Sequence, residues 1–298
     1  MTTSAPMTEE SARKAVVAAC ERVGLDPTGS VLVRLGSNAV FRLKKATIVR
    51  IGRDVGGMRD AAKQVAVARW LETEGYPAAR ALKVAQPVDL GGHPVTYWES
   101  ASDSERYAPL SQVGTLLRCL HALSPPGSLQ LDETRPFAKL DKQAGALGNL
   151  HPDDAAFLRD RIDFLRESYQ SVDFALSPGV IHGDANVGNV ILDREGNPVL
   201  IDLDSFSIGP REWDLVQTAL FYERFGWHTE EEYRSFVEAY GFDIMEWPGY
   251  PVLADYREIS MTMWLCGKAG SDERAAAEVR KRVETLRTGG SRREWAPF

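Results

Sequence analysis

Along the first hundred residues apolar side chains alternate with polar ones, and beyond that they recur mostly at helical spacing. Three short runs, VLVRL at 31–35, AVFRL at 39–43 and TIVRI at 47–51, alternate over β-branched and aromatic residues and read as strands. GSN at 36–38 and Lys44-Lys45-Ala46 separate them, which predicts an antiparallel meander. LKVAQ at 82–86 and PVTYW at 94–98, joined through Gly91-Gly92, complete an expected five-stranded sheet. Two helical patterns accompany it: 9–23, with Thr8 as N-cap and Gly24 past its end, and 58–74, stopped by Gly75 and Pro77.

Residues 99–109, ESASDSERYAP, are polar, lie between a strand and a helix, and read as a hinge. They divide an N-terminal lobe, 1–98, from a C-terminal lobe, 110–298. Helical spacing dominates the second lobe, over 110–122, 153–170, 212–226, 229–240, 253–267 and 272–287, with Leu158, Ile162, Leu165 and Tyr169 on one face of the second of these. The stretch 124–150 contains Pro125, Pro126, Gly127 and Pro136 and reads as a long connection framing a pocket.

The departure from the helical pattern is VIHGDANVGNVILDREGNPVLIDLD at 180–204, and it carries the chemistry. Val180 and Ile181 read as a short buried strand that delivers His182, Gly183 and Asp184 into a loop. The apolar runs 190–192 and 199–201, with Gly196 in the turn between them, read as a hairpin that ends on Asp202. Moving a γ-phosphoryl group is mostly positioning and neutralisation of oxygen charge. Mg²⁺ supplies the neutralisation and takes one or two hard protein oxygens alongside phosphates and waters, which suits Asp202 and the carboxamide oxygen of Asn189. Asp184 remains to accept the proton of an attacking hydroxyl.

With H-G-D-x-x-x-x-N followed by I-D-x-D, the chain resembles the aminoglycoside phosphotransferase-like family, small-molecule kinases with the protein-kinase fold. The resemblance extends over about residues 30–290 and is strongest at 180–216. It implies an α+β, bilobal protein-kinase-like fold, with an antiparallel five-stranded N-lobe carrying a helix and a mostly helical C-lobe. It also implies ATP or GTP as phosphoryl donor. On this resemblance Asp184 is the catalytic carboxylate, His182 braces the loop, Asn189 and Asp202 hold the metal, and Asp214 in GPREWDL supports the catalytic loop from the next helix. Arg50 stands where the family places a strand-three Lys, and its planar fork suits phosphate oxygens, with Arg53 a nearby competitor. Gly36, Ser37 and Asn38 are either a phosphate-covering loop or simply a hairpin turn. The adenine is expected to dock where the last strand meets the hinge, at Trp98, Glu99 and Ser100. One departure stands out: Gln64 falls where the family offers a Glu to pair with the strand-three base, and Glu72 and Glu74 come two or more turns later.

Composition bounds the partners. The 298 residues are 44% hydrophobic and 26% charged, no run approaches the roughly 20 apolar residues that span a bilayer, and no hydrophobic leader opens the chain, so a cytoplasmic protein without a membrane partner is expected. Cys20, Cys119 and Cys266 have neither zinc nor disulfide spacing and read as reduced, buried thiols. Residues 1–100 hold 14 Lys/Arg against 10 Asp/Glu, whereas 151–250 hold 7 against 20. That acidic stretch disfavours nucleic acid and favours a cationic small molecule, such as an amino sugar or an aminoglycoside-type antibiotic. Residues nominated to meet it are Asp204, Tyr222, Glu223, Asp255, Glu258 and Trp264, with Glu258 alternatively a brace for Arg257. Other readings are a kinase of a neutral sugar, a choline-like alcohol or an amino-acid-like compound, and a non-catalytic nucleotide-binding module. The sequence is silent on oligomeric state.

Overall fold

The computed structural model describes residues 7–36, 38–44, 46–52, 57–102 and 106–298. The expected Ser37, Arg53 and part of the hinge, 103–105, lie outside them. The chain divides into two compact units, one of Met1–Ala108, Ala122–Leu131 and Val187–Phe206, the other of Pro109–His121, Asp132–Asn186 and Ser207–Phe298.

In the first unit the alternating runs form strands β1 (Val31–Leu35), β2 (Asn38–Leu43), β3 (Thr47–Gly52), β4 (Val88–Leu90) and β5 (His93–Glu99), in the antiparallel order β1-β2-β3-β5-β4. Period two gives the sheet two unlike faces. Ala39, Phe41, Leu43, Val49, Ile51, Val95 and Tyr97 point to one side and bury against Ala12, Val16, Ala19 and Cys20 of helix α1 (Glu9–Val23). The Thr8 hydroxyl caps that helix, Gly24 ends it at φ 70°, and the Tyr97 hydroxyl ties it to the sheet through Ala19 O at 2.6 Å. Val40, Arg42, Ile48, Arg50 and Trp98 face the other way and line a cavity. Helix α2 (Met58–Thr73) packs on β5 and sets Trp70 edge-on to Phe206. Hairpin β7 (Val190–Leu192) to β8 (Pro198–Leu200) belongs to this unit too.

One expected strand is corrected. LKVAQ at 82–86 forms no ladder, and the partner of β5 is β4. The Gln86 side chain takes the place of a strand backbone, accepting from Tyr97 N at 2.7 Å and donating to Leu82 O at 2.7 Å and Tyr97 O at 3.2 Å.

The second unit is built of α3 (Leu110–His121), α4 (Pro136–Gln143), α5 (Pro152–Gln170), α6 (Glu212–Glu223), α7 (Glu230–Tyr240), α8 (Tyr250–Ala269) and α9 (Glu273–Thr288), with the short pair β6 (Gly179–Ile181) and β9 (Ser207–Gly209). Gly114 lets α3 approach α7 closely, since a Cβ there would lie 2.6 Å from Phe236 O. The long connection read at 124–150 is partly helical: Pro136 starts α4, and Phe137, Leu140 and Leu147 bury beneath it and a following 3₁₀ turn, Ala144–Asn149. Eight residues with two apolar anchors are too short for periodicity to reveal. Among the described residues no helix is long and apolar enough to cross a membrane. Cys20 and Cys266 are buried, which pushes both thiols up to about 11, whereas Cys119 is exposed, contrary to expectation.

Candidate active site

On the second unit β6 ends at Ile181, and the chain turns at Gly183, φ 85°. Asp214, wholly buried in the first turn of α6, holds the turn. One carboxylate oxygen accepts the N–H of His182 at 2.7 Å and the other that of Gly183 at 2.8 Å. Burial acts to raise the Asp214 carboxyl. The hydrogen bond from His121, the charges of His121 and His182 and the His182 N–H outweigh it and hold the group below the usual carboxylate range. His121 Nε2 lies 3.1 Å from Asp214, and its Nδ1 lies 2.8 Å from the Tyr240 hydroxyl. His182 is itself buried, and its Nδ1 accepts the N–H of Asp184 at 3.3 Å. Beneath the loop Arg257 stacks on the Trp213 ring at 4.7 Å, donates to Gly183 O and Trp213 O at 3.1 and 3.2 Å, and sets Nη1 3.5 Å from Asp184 Oδ1. Sequence reasoning assigned neither His121 nor Arg257 to the loop, because their partners lie 93 and 73 residues away.

On the first unit the second set gathers around a cavity of about 540 Å³. Asn38, Arg50, Trp98, Glu99, Ser100, Asn189, Asp202 and Asp204 line it, as do Arg34 and Arg42. Gly36 makes the turn into β2, with its N–H on Asn38 O at 3.0 Å. Arg42 was missed although the signal was present, since the period of β2 puts it on the face of Asn38. Asp202 follows β8 in the left-handed region, φ 61° and ψ 63°. From there Leu203–Ser205 make a 3₁₀ turn that buries Leu203 and brings Asp204 back beside Asp202. Arg50 Nη2 meets Asp202 Oδ1 at 3.4 Å and Asp204 Oδ2 at 3.1 Å. Desolvation pushes the Asp204 carboxyl up to about 6, with Arg50 pulling it down and Asp202 adding to the rise. Arg50 thus pairs with acids of the 202–204 turn. Beside the expected position of Gln64, Lys63 Nζ reaches Asp204 O and Phe206 O, both at 3.1 Å.

The other nominated acceptor residues, Tyr222, Glu223, Asp255, Glu258 and Trp264, lie on the second unit, each engaged by a neighbouring side chain there. Asp255 takes Arg224 Nη1 at 2.7 Å and Arg161 Nη2 at 2.5 Å. Glu258 is fully buried, and Arg292 grips both its oxygens at 3.1 and 3.3 Å. It braces Arg292 and Arg224, the latter at 3.2 Å, where the alternative reading named Arg257. Glu223 accepts from the Tyr250 hydroxyl at 2.7 Å, Tyr222 stacks on Tyr233 at 4.9 Å, and Trp264 carries the Lys268 ammonium 3.6 Å over its ring.

An antiparallel sheet with a cation opposed to paired acids, and a helical unit whose buried Asp fixes an H-G-D loop, define the class of the small-molecule kinases. The chain belongs to the phosphotransferase enzyme family, whose family model matches residues 32–256. A segment of 82 residues is 37% identical to a probable ketoamine kinase of Lactiplantibacillus plantarum, a match that spans only 28% of this chain and 26% of that protein. The fold is shared with solved structures at low identity. An amicoumacin kinase in complex with AMP-PNP and Ca²⁺ matches with TM-score 0.72 and 15% identity over 97% of this chain and 98% of the other. A microcompartment-associated aminopropanol kinase matches with TM-score 0.70 and 15% identity over 93% and 97%. A spectinomycin phosphotransferase in complex with ADP and its antibiotic matches with TM-score 0.64 and 16% identity over 92% and 94%.

Proposed function

We propose that this chain transfers the γ-phosphoryl group of ATP or GTP to a hydroxyl of a small molecule, with Mg²⁺ bound alongside the nucleotide. The observation that carries the reading is the cavity in which Arg50, Asn189 and Asp202 meet Trp98, Glu99 and Ser100. A cationic fork, hard oxygen donors and a partly apolar wall for a base share one enclosure. The donor set fits Mg²⁺: Asp202 and Asn189 offer the oxygens it prefers, and Arg50 opposes the carboxylates of Asp202 and Asp204 there. Bound there, the ion would neutralise charge on the phosphate oxygens.

On this reading Arg50 binds phosphate oxygens, Trp98, Glu99 and Ser100 flank the base, and Asp184 orients the acceptor hydroxyl and takes its proton. His182, Asp214 and Arg257 position the loop. The cationic acceptor expected from the acidic stretch loses support on α8, because Asp255 and Glu258 are matched by arginines. The test is consumption of ATP and GTP with Mg²⁺ across amino sugars, amino alcohols, choline-like alcohols and ketoamines, scored by an acceptor that gains the mass of one phosphoryl group. Asp184→Asn should lower kcat about 10²- to 10⁴-fold and leave nucleotide affinity in place. Turnover with none of these acceptors by folded protein that still binds nucleotide would favour the non-catalytic module.

A further inference from the structure

The second unit contains an open cavity of about 410 Å³, walled by Glu223, Arg224, Asp255 and the segment Gly290 to Arg293. By residue type this wall is mixed, but its acids are already occupied. Asp255 is held by Arg161 and Arg224, Glu258 behind the wall by Arg292 and Arg224, and Glu223 by the Tyr250 hydroxyl with Arg224 at 3.5 Å. Four arginines, 161, 224, 292 and 293, thus face three carboxylates, and the surplus falls on Arg293. Its guanidinium has no hydrogen bond or ion pair among the described residues and lies against Gly226, whose backbone at φ 64° leaves the room that a Cβ would fill. A planar fork without a carboxylate partner, on a cavity wall whose own carboxylates are neutralised, matches an oxyanion far better than an ammonium.

We propose that this cavity receives a carboxylate on the acceptor, remote from the hydroxyl that is phosphorylated. The inference rests on the kinase reading and deepens it. Both ends of the acceptor are then referred to one helix. Asp214, in the first turn of α6, holds the catalytic loop, and Arg224 follows its last residue, ten positions on. At the rise of an α-helix that is about 15 Å. The acceptor is therefore elongated, with its anionic end at the far end of α6. The buried Glu258 fixes Arg292, so Arg293 is the residue left to discriminate.

The probes are the ketoamine of fructose with the ε-amine of lysine, which carries a carboxylate at the end of a long chain, and its carboxamide. Titration calorimetry without nucleotide reads affinity independently of turnover. Wild-type protein should bind the carboxylate about tenfold or more tightly than the carboxamide. That ratio should fall toward one in Arg293→Met, with Arg293→Lys in between because it keeps charge and loses the fork. Equal affinity for the two probes in wild type, failure to bind either, or a ratio unchanged in Arg293→Met overturns the assignment. If the carboxylate binds selectively and neither probe is phosphorylated, the anion site stands and the kinase reading for this acceptor fails.

Discussion

Asp202 carries the strongest conflict between local preference and position. A non-glycine residue at φ 61° costs of order 1 kcal/mol, and such strain persists where the surroundings require it. Here the left-handed residue ends the strand and starts the turn that sets Asp202 and Asp204 on one guanidinium. Asp202→Gly relieves the strain and removes the oxygen proposed to hold the metal. Thermal unfolding should stay within about 1 kcal/mol of wild type while Mg²⁺-dependent turnover is abolished. Near-normal turnover in that variant would show that Asp202 shapes the turn and holds no metal. The spacing of Asn189 and Asp202 was legible because the β7–β8 hairpin joins them, and Asp184 because it stands close ahead of that hairpin, on the loop after β6. The placement of Asp204 was not, because a three-residue turn leaves no periodic trace.

Among the elements, α6 governs the loop after β6 through Asp214, and its ionisation has a testable sign. The folded carboxyl lies below its ordinary value, so ionised Asp214 adds stability above about pH 4, the unfolded carboxylate range, and that contribution is lost as pH falls toward the folded pKa. Asp214→Asn supplies one acceptor for two N–H donors and should cost about 3 kcal/mol at pH 7. In urea unfolding the gap between wild type and variant should narrow below pH 4; a constant gap would mean that charge on Asp214 does not matter. The β-meander was legible at this scale because its period-two pattern matches a half-buried sheet. The 82–86 segment and α4 were not: a glutamine side chain replaced one ladder, and the other helix has too few apolar turns.

Over the whole chain, the C-terminal residues complete the second unit's core. Trp295 is buried at 2% exposure under the Arg282 guanidinium, and Arg292 is bidentate on Glu258, which has 0% exposure. Arg292→Ala should leave a buried carboxylate short of its main partner and lower stability by about 3–5 kcal/mol. Arg292→Ala with Glu258→Gln should recover part of that loss. A single variant as stable as wild type would mean that Arg224 alone satisfies Glu258. By itself the sequence determined the alternation that makes one sheet face apolar and the other cationic, the hairpin that spaces Asn189 and Asp202, and the H-G-D loop, since each arises from neighbours a few residues apart. Only the tertiary structure decided which charges are free to meet a ligand. Asp255 and Glu258 looked like an anionic wall, and partners 94, 31 and 34 residues distant neutralise them. Coulomb attraction acts through space, and a charge balance counted along the chain cannot tell a solvated acid from one already paired.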